Sequence, residues 1–149
     1  MFRGQVVSIH TAAEAGGPIQ DHAQIEAVAH RGLRGDRNFD SGHPEAAVTL
    51  IELESIEALA RDYDIALNPA DSRRNIVTKD VPLNHLVGKT FRVGGVLMRG
   101  MELCEPCNYL AGKTQRRVLP ALVHRGGLRA AILSDGTIRV GDAVQPDEE

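Results

Sequence analysis

The chain has 149 residues, of which 42% are hydrophobic and 25% charged; this length and composition predict a globular domain with its own core and exclude a mainly disordered chain. The formal net charge of -3 argues against a nucleic-acid partner, because non-specific binding to phosphates depends on excess Lys and Arg. No apolar run approaches the roughly 18 residues of a membrane-spanning helix and no signal-peptide core is present, so we expect a cytoplasmic protein without a membrane partner.

The first half of the chain predicts short strands and one helix. Residues 2–9, 25–30 and 48–51 predict strands, whereas residues 11–21 break any periodicity and predict an exposed loop. Apolar side chains then recur at helical spacing with charged residues between them; these are Leu53, Ile56, Leu59, Ala60 and Tyr63. This pattern predicts a helix over that segment.

The second half predicts further short strands. Residues 73–78 predict a strand and residues 83–87 a single helical turn. Residues 91–98 and 101–103 predict a bent pair of strands, with Gly94 and Gly95 in the tight turn. The remaining predictions are a helical segment within residues 108–123, a closing hairpin from residues 129–133 and 137–144, and a polar tail over residues 145–149.

Many short strands, Gly-containing turns and few helices favour a mainly β fold with inserted α elements, either a barrel or a sandwich. The strands do not alternate with helices, which argues against a doubly wound α/β fold. No internal repeat or linker divides the chain. We therefore predict a single domain over residues 1–149.

Cys104 and Cys107 form a Cys-x-x-Cys pair, a spacing that serves metal chelation, dithiol redox chemistry or one reactive cysteine with a neighbour. Structural zinc is disfavoured, because no second Cys pair or close His pair completes four ligands. The βαβ context of a thioredoxin-like motif is missing as well. If a helix begins near Asn108, Cys107 lies at its N-terminal edge, where a thiol pKa falls. The alternative is that both cysteines are small, buried apolar side chains without a chemical role.

Basic residues next to glycines or amides form three further candidate groups. Arg31, Arg34 and Arg37 lie among Gly32 and Gly35, a composition suited to cradling a phosphate; the alternative is a solvated turn in which Asp36 pairs with an Arg. If residues 73–75 form a strand, Arg73 and Asn75 would share one face and could bind the same ligand, and Arg74 would lie on the other face. The alternative is that all three are surface residues that bind no ligand. The third group is His124 and Arg125, a His and an Arg that precede the flexible backbone of Gly126 and Gly127.

Taken in order, these segments resemble the MOSC domain, the C-terminal part of molybdenum cofactor sulfurases. The resemblance spans nearly the whole chain and is carried by Gly-Asp-Arg at residues 35–37, Arg-Arg-Asn-Ile-Val at 73–77, Phe-Arg-Val-Gly at 91–94, Cys-Glu-Pro-Cys-Asn-Tyr-Leu at 104–110, His-Arg-Gly-Gly-Leu at 124–128 and Gly-Thr-Ile-Arg-Val-Gly-Asp at 136–142. It implies a β-barrel of MOSC type and a small stand-alone member of the family.

The resemblance also implies a ligand and its residues. The ligand would be the molybdenum cofactor, molybdopterin, or a sulfur group, with Cys107 as the catalytic residue and the metal or sulfur ligand. Arg37, Arg73 and Asn75 would hold the phosphate and pterin. Longer molybdenum-binding members carry Lys-Ser at the end of the first strand, where this chain has Val7, Ser8, Ile9 and His10, and they have an additional N-terminal barrel domain.

Three functions follow as hypotheses: a molybdenum-dependent oxidoreductase or sulfurtransferase, a non-enzymatic sulfur or cofactor carrier, and a thiol redox protein that uses Cys104 and Cys107. A redox or acceptor protein is the expected partner of the first two. Pyridoxal phosphate is disfavoured, because it requires a Schiff-base lysine and nothing marks Lys79, Lys89 or Lys113 for that role. We predict that Cys107, Arg37, Arg73 and Asn75 line one pocket, with His124 or Arg125 near its rim.

Overall fold

The computed structural model describes residues 2–104 and 126–147, and their fold is mainly β with one α-helix, as predicted. The strands are β1 (Gly4–Thr11), β2 (Gln20–His22), β3 (Gln24–Val28), β4 (Gly32–Leu33), β5 (Val48–Glu52), β6 (Ile76–Lys79), β7 (Thr90–Val93), β8 (Val96–Leu103), β9 (Leu128–Ile132), β10 (Gly136–Arg139) and β11 (Ala143–Pro146). The helix is α1 (Leu53–Tyr63), and short 3-10 helices span Pro44–Ala46, Pro69–Ser72 and Leu83–Leu86. No helix among the described residues has the length and apolar character needed to cross a membrane.

Seven strands close into a barrel in the order β11-β7-β8-β9-β5-β6-β1, because β11 also pairs with β1. Gly4 is opposite Val144 in the closing pair, which is antiparallel. The short strand β2 extends the sheet beyond β1, and β10, β3 and β4 form a separate three-stranded sheet. Strands β5 and β6 run parallel and are therefore joined by a crossover, which here contains α1.

The core fills the barrel with aliphatic side chains, consistent with an aromatic content of only 3%. Phe91, Leu50, Ile76 and Leu128 have no exposed surface. Each fully buried side chain of this size contributes roughly 1.5–3 kcal/mol relative to an exposed one. A second apolar cluster lies outside the barrel wall and includes Ile56 of α1, so the amphipathic helix covers the outer face of the β5–β6 pair.

The helix prediction is confirmed, since α1 spans the residues that carry the helical spacing. Its C-cap is Asp64, which adopts a left-handed conformation with φ 56° and donates its backbone N–H to Leu59 O. The predicted tight turn between β7 and β8 is also present, with Gly94 at φ 59°.

The prediction of a closing hairpin is wrong, because consecutive strands β9 and β10 belong to different sheets. Strand β9 is already paired with β8 on one side and β5 on the other, which leaves it no free edge. Strand β10 instead pairs with β3, and β11 returns to the barrel between β7 and β1.

Two boundaries also differ from prediction. The strand predicted from residue 73 begins only at Ile76, because Arg73 has a left-handed backbone with φ 58° that ends the preceding 3-10 helix. The segment predicted as a loop, residues 11–21, overlaps β2, a strand of three polar residues stabilised by pairing with β1. The predicted helix over residues 108–123 lies outside the described residues.

Candidate functional site

A cavity of about 470 Å³ opens at one end of the barrel. Its wall includes His10 and Thr11 at the end of β1, Thr49 of β5, and Cys104, which directly follows β8. Loop residues from three parts of the chain contribute to it: residues 12–19 between β1 and β2, residues 36–38 between β4 and β5, and residues 73–75 before β6. The volume falls in the range of about 300–1,000 Å³ that is typical of small-molecule sites.

Basic side chains dominate the charge of this cavity. Among the described residues, four arginines and one aspartate line it, which gives these residues a formal charge of +3 with the His neutral; they are Arg37, Arg73, Arg74, Arg129 and Asp36. The whole chain has a formal charge of -3. The concentration of arginines in one concave surface of an acidic protein favours an anionic ligand.

The fold brings Arg37, Arg73 and Asn75 to the same cavity, although they come from separate segments of the sequence. Cys107, His124 and Arg125 lie outside the described residues. The expectation that Arg74 faces away from Arg73 and Asn75 is wrong, because Arg74 lines the cavity as well. Strand alternation does not apply there, since the strand starts only at Ile76.

Arg37 is held at the cavity by its backbone, whose N–H donates to Ala12 O at 2.7 Å. Its guanidinium is exposed and forms no hydrogen bond or ion pair with any other residue that the structure describes. The preceding carboxylate, on Asp36, accepts the backbone N–H groups of Ala12 and Asn38 at 3.2 and 3.3 Å. Asp36 thus shapes the loop, and the guanidinium of Arg37 is available to a ligand.

Arg31 and Arg34 do not contribute to the cavity. Arg31 donates to Asp40 through Nε and Nη2, and Arg34 pairs with Glu26. Both guanidinium groups lie over the ring of Phe39, with centroid distances of 4.9 and 5.5 Å. The hydrogen bond from Arg31 lowers the pKa of Asp40 below its usual value. Of the three arginines that the sequence suggested for binding a phosphate, only Arg37 remains a candidate.

Arg73 and Arg74 each use part of their guanidinium to bind backbone. Arg73 Nη2 donates to Gly17 O at 2.9 Å. Arg74 Nε donates to Gly126 O at 2.7 Å, and its Nη2 donates to Cys104 O at 3.4 Å. A guanidinium has five N–H donors, so both side chains combine a structural contact with the capacity to bind an anion.

Asn75 joins three segments at the base of the cavity and is 6% exposed. Its Oδ1 accepts from the backbone N–H and the hydroxyl of Thr49, at 3.0 and 3.2 Å. Its Nδ2 donates to His10 O at 3.0 Å. Most of the hydrogen-bonding capacity of this amide is thus used to hold β1 and β5 in place.

Cys104 and Arg129 are cavity residues that the sequence interpretation did not identify as such. The Cys104 thiol is free and 2% exposed. The pKa of Arg129 is raised above its usual value, chiefly by the neighbouring Cys104 and further by the Glu102 carboxylate, which accepts from Arg129 Nη1 at 3.2 Å. No sequence pattern could predict that Cys104 and Arg129 are neighbours, because the two residues are distant in sequence and meet only through the pairing of β8 with β9.

Metal binding has little support from the described part of the chain by itself. Residues 2–104 and 126–147 contain no cluster of three or more His, Cys, Asp or Glu side chains that could hold a metal ion. Any metal in this cavity would therefore depend on ligands from a bound molecule or from the rest of the chain.

Several solved structures are similar in fold, and three of them come from named bacteria. The YuaD protein of Bacillus subtilis has a TM-score of 0.82 at 13% identity, covering 99% of this chain and all of that one (100%). YiiM of Geobacillus stearothermophilus has a TM-score of 0.76 at 17% identity, covering 97% of this chain and 75% of its own. YiiM of Escherichia coli has a TM-score of 0.70 at 17% identity, covering 97% and 70%.

Sequence comparison gives the family. No curated protein matches the chain, and the structural similarities, at identities this low, establish the fold alone. The model of the MOSC domain family, however, matches residues 38–145, which is more than half of the chain and includes most strands of the barrel. The chain therefore belongs to the MOSC domain family.

Proposed function

We propose that this protein binds the molybdenum cofactor, or a related sulfur-bearing group, in the arginine-lined cavity. Arg37 and Arg73 bind the phosphate, and Cys107 is the thiol that ligates molybdenum or carries sulfur. The observation that supports this proposal is the formal charge of +3 on the described residues that line a cavity of about 470 Å³. Membership of the MOSC family supports a role related to this cofactor in general.

The described residues fit the phosphate end of such a ligand. Guanidinium groups form paired, charge-assisted hydrogen bonds with phosphate oxygens, and that of Arg37 has no partner among the described residues. Asn75 keeps the wall in place through His10 and Thr49. When bound, the cofactor would supply a metal centre for redox chemistry or sulfur transfer, and the cavity would limit access of water to it.

The proposed thiol is close in sequence to a residue of this cavity. Cys104 lines the cavity, and Cys107 follows it by three residues, a separation that a fully extended chain covers with at most roughly 11 Å. His124 and Arg125 directly precede Gly126, whose carbonyl accepts from Arg74. We propose these two residues as further cofactor contacts on this basis.

A test compares cofactor retention between matched arginine variants. Protein is purified from a host that makes the cofactor, then analysed for molybdenum and for pterin fluorescence. Arg37→Gln removes a cavity guanidinium that has no partner among the described residues. We expect at least about tenfold weaker retention, since a charged hydrogen bond contributes about 1.5–3 kcal/mol. Arg31→Gln is the control, because Arg31 lies six residues away and pairs with Asp40 outside the cavity.

Absence of molybdenum, of pterin and of a persulfide on Cys107 from the unaltered protein would contradict the proposal. Equal retention in both arginine variants would contradict the assigned role of Arg37. A protein that holds the cofactor but turns over no substrate would instead act as a carrier that passes the group to an acceptor protein, expected in the cytoplasm.

A thiol redox function is the second candidate, because the free Cys104 thiol faces the same cavity and Cys107 is three residues away. This function requires both sulfurs, whereas the cofactor function requires one. Cys104→Ser and Cys107→Ser would both abolish activity in a dithiol cycle. Loss in Cys107→Ser alone would support the single ligand.

A further inference from the structure

A second cluster of polar side chains lies on β1 and β2. His10 of this cluster also belongs to the cavity wall, but the proposed function does not use its imidazole or the side chains of Ser8 and Asp21. Ser8 Oγ lies 2.8 Å from His10 Nε2, and His10 Nδ1 lies 2.7 Å from Asp21 Oδ1. Ser8 and His10 are two residues apart on β1 and so share a face, and His10 is directly opposite Asp21 in the β1–β2 ladder. Ser8 does not line the arginine-rich cavity.

The carboxylate of Asp21 determines which ring nitrogen of His10 carries the proton. A carboxylate only accepts hydrogen bonds, so the neutral ring donates Nδ1–H to Asp21 and presents a lone pair on Nε2. That lone pair accepts the hydroxyl proton of Ser8. The imidazole side chain is only 5% exposed, so its orientation is maintained by its surroundings, while Ser8 is partly exposed.

The neighbouring pair on the same strands shows what is special about Ser8. Thr11 Oγ1 lies 2.8 Å from His22 Nε2, which is again a hydroxyl beside an imidazole. Thr11, however, is 2% exposed, and no described carboxylate contacts the other nitrogen of His22. Of the two hydroxyl–imidazole pairs on these strands, only that of Ser8 combines a partly exposed hydroxyl residue, a base and an orienting carboxylate.

We propose that Ser8, His10 and Asp21 form a second reactive site, at which Ser8 is the nucleophile for acyl transfer from small, activated carboxylic esters. The arrangement of nucleophile, base and orienting acid is the one that activates serine in unrelated hydrolases. Because Ser8 is partly exposed and does not line the arginine-rich cavity, the ester is expected to be small and its specificity low.

The reaction balances with water as the only co-reactant. Ser8 Oγ forms a bond to the ester carbonyl carbon while its proton passes to His10 Nε2. The bond from that carbon to the alkoxy oxygen breaks, and the alcohol leaves with the proton from His10. Water then attacks the acyl-serine, gives a proton to His10, and releases the carboxylic acid as Ser8 regains its proton.

The experiment uses a fluorophosphonate probe, which forms a bond from phosphorus to Ser Oγ and releases fluoride, followed by mass spectrometry of the labelled peptide. Hydrolysis of p-nitrophenyl acetate is measured in parallel. We expect a single adduct on Ser8, complete loss in Ser8→Ala, and at least about tenfold slower labelling in Asp21→Asn, where the carboxylate can no longer fix the ring. The Asp21 side chain is 75% exposed, so this variant is expected to fold.

His22→Gln is the matched control, since it removes an imidazole from the same strand pair without touching Ser8 or Asp21, and its labelling rate should equal that of the unaltered protein. His10→Gln should label at least about a hundredfold more slowly, with folding checked by circular dichroism. No adduct on Ser8, or the same labelling rate in Asp21→Asn as in the unaltered chain, would overturn the proposal. Cofactor retention does not enter this test, so the two proposals fail independently.

Discussion

Asn75 illustrates how a residue beside the proposed ligand can act mainly on the protein itself. Its side chain donates to His10 O and accepts from Thr49 twice, so it connects the barrel strands whose ends form the cavity wall. A buried polar group that loses its partner costs about 1–3 kcal/mol. The contribution of Asn75 to ligand binding is therefore expected to depend on the position of the wall.

We predict that Asn75→Ala lowers the free energy of unfolding by about 3 kcal/mol, because it leaves the Thr49 N–H and the His10 carbonyl without their partner. Urea unfolding should show a lower midpoint and an unchanged slope. Gln20→Ala, at an exposed position of β2, should change stability by less than about 0.5 kcal/mol. A loss below about 1 kcal/mol in Asn75→Ala would show that water replaces the amide.

Cys107 belongs to a segment between β8 and β9, and the described part of the chain closes the base of that segment tightly. Cys104 N–H donates to Gly127 O at 2.7 Å, and Arg74 binds the carbonyls of both Cys104 and Gly126. Gly127 has φ 112°, and a Cβ at this position would overlap Leu50 O. Backbone contacts thus determine where the segment leaves and rejoins the barrel.

At this base we predict that Arg74→Met increases amide hydrogen exchange at Cys104 by about tenfold, because losing charged contacts that together contribute roughly 1.4 kcal/mol makes local opening easier by that factor. The Leu133 amide, which donates to Leu97 O at the other end of the same strand pair, is the internal control and should not change. Unaltered exchange at Cys104 would show that the strand hydrogen bonds suffice without the side chain.

The whole molecule depends on the closure of one barrel. Strand β11 pairs with β7 on one side and β1 on the other, so the last strand of the chain completes the sheet started by the first. Val144 lies in the middle of this closure and has no exposed surface. Most of the buried apolar residues that the structure describes belong to one core, so a defect at the closing strand should affect the whole fold.

We predict that Val144→Asp abolishes cooperative thermal unfolding. A carboxylate in an apolar core costs several kcal/mol, and domains of this kind are stable by only about 5–15 kcal/mol. Gln145→Asp, the next residue on the opposite, half-buried face, should shift the melting temperature by no more than about 4 °C. If Val144→Asp kept a sharp transition near the original temperature, strand β11 would not be needed for the core.

Several features of this protein follow from local sequence. The helical spacing over Leu53–Tyr63, the tight turn at Gly94 and the mainly β character depend on interactions within a few residues, which the sequence contains directly. The ordered motifs led to the MOSC family, and with it to Arg37, Arg73 and Asn75 as neighbours in one cavity.

Other features required the tertiary structure, because they depend on pairings between distant segments. Whether β10 would pair with β9 depended on the edges of β9, which β5 and β8 occupy. The different roles of the three loop arginines also depend on the fold, since Arg31 and Arg34 pair with carboxylates whereas Arg37 lines the cavity. The same holds for Cys104 beside Arg129 and for the Ser8, His10 and Asp21 cluster. The sequence shows which chemical groups are available at these positions. Which of these groups contact one another depends on the pairing of distant strands in the closed barrel.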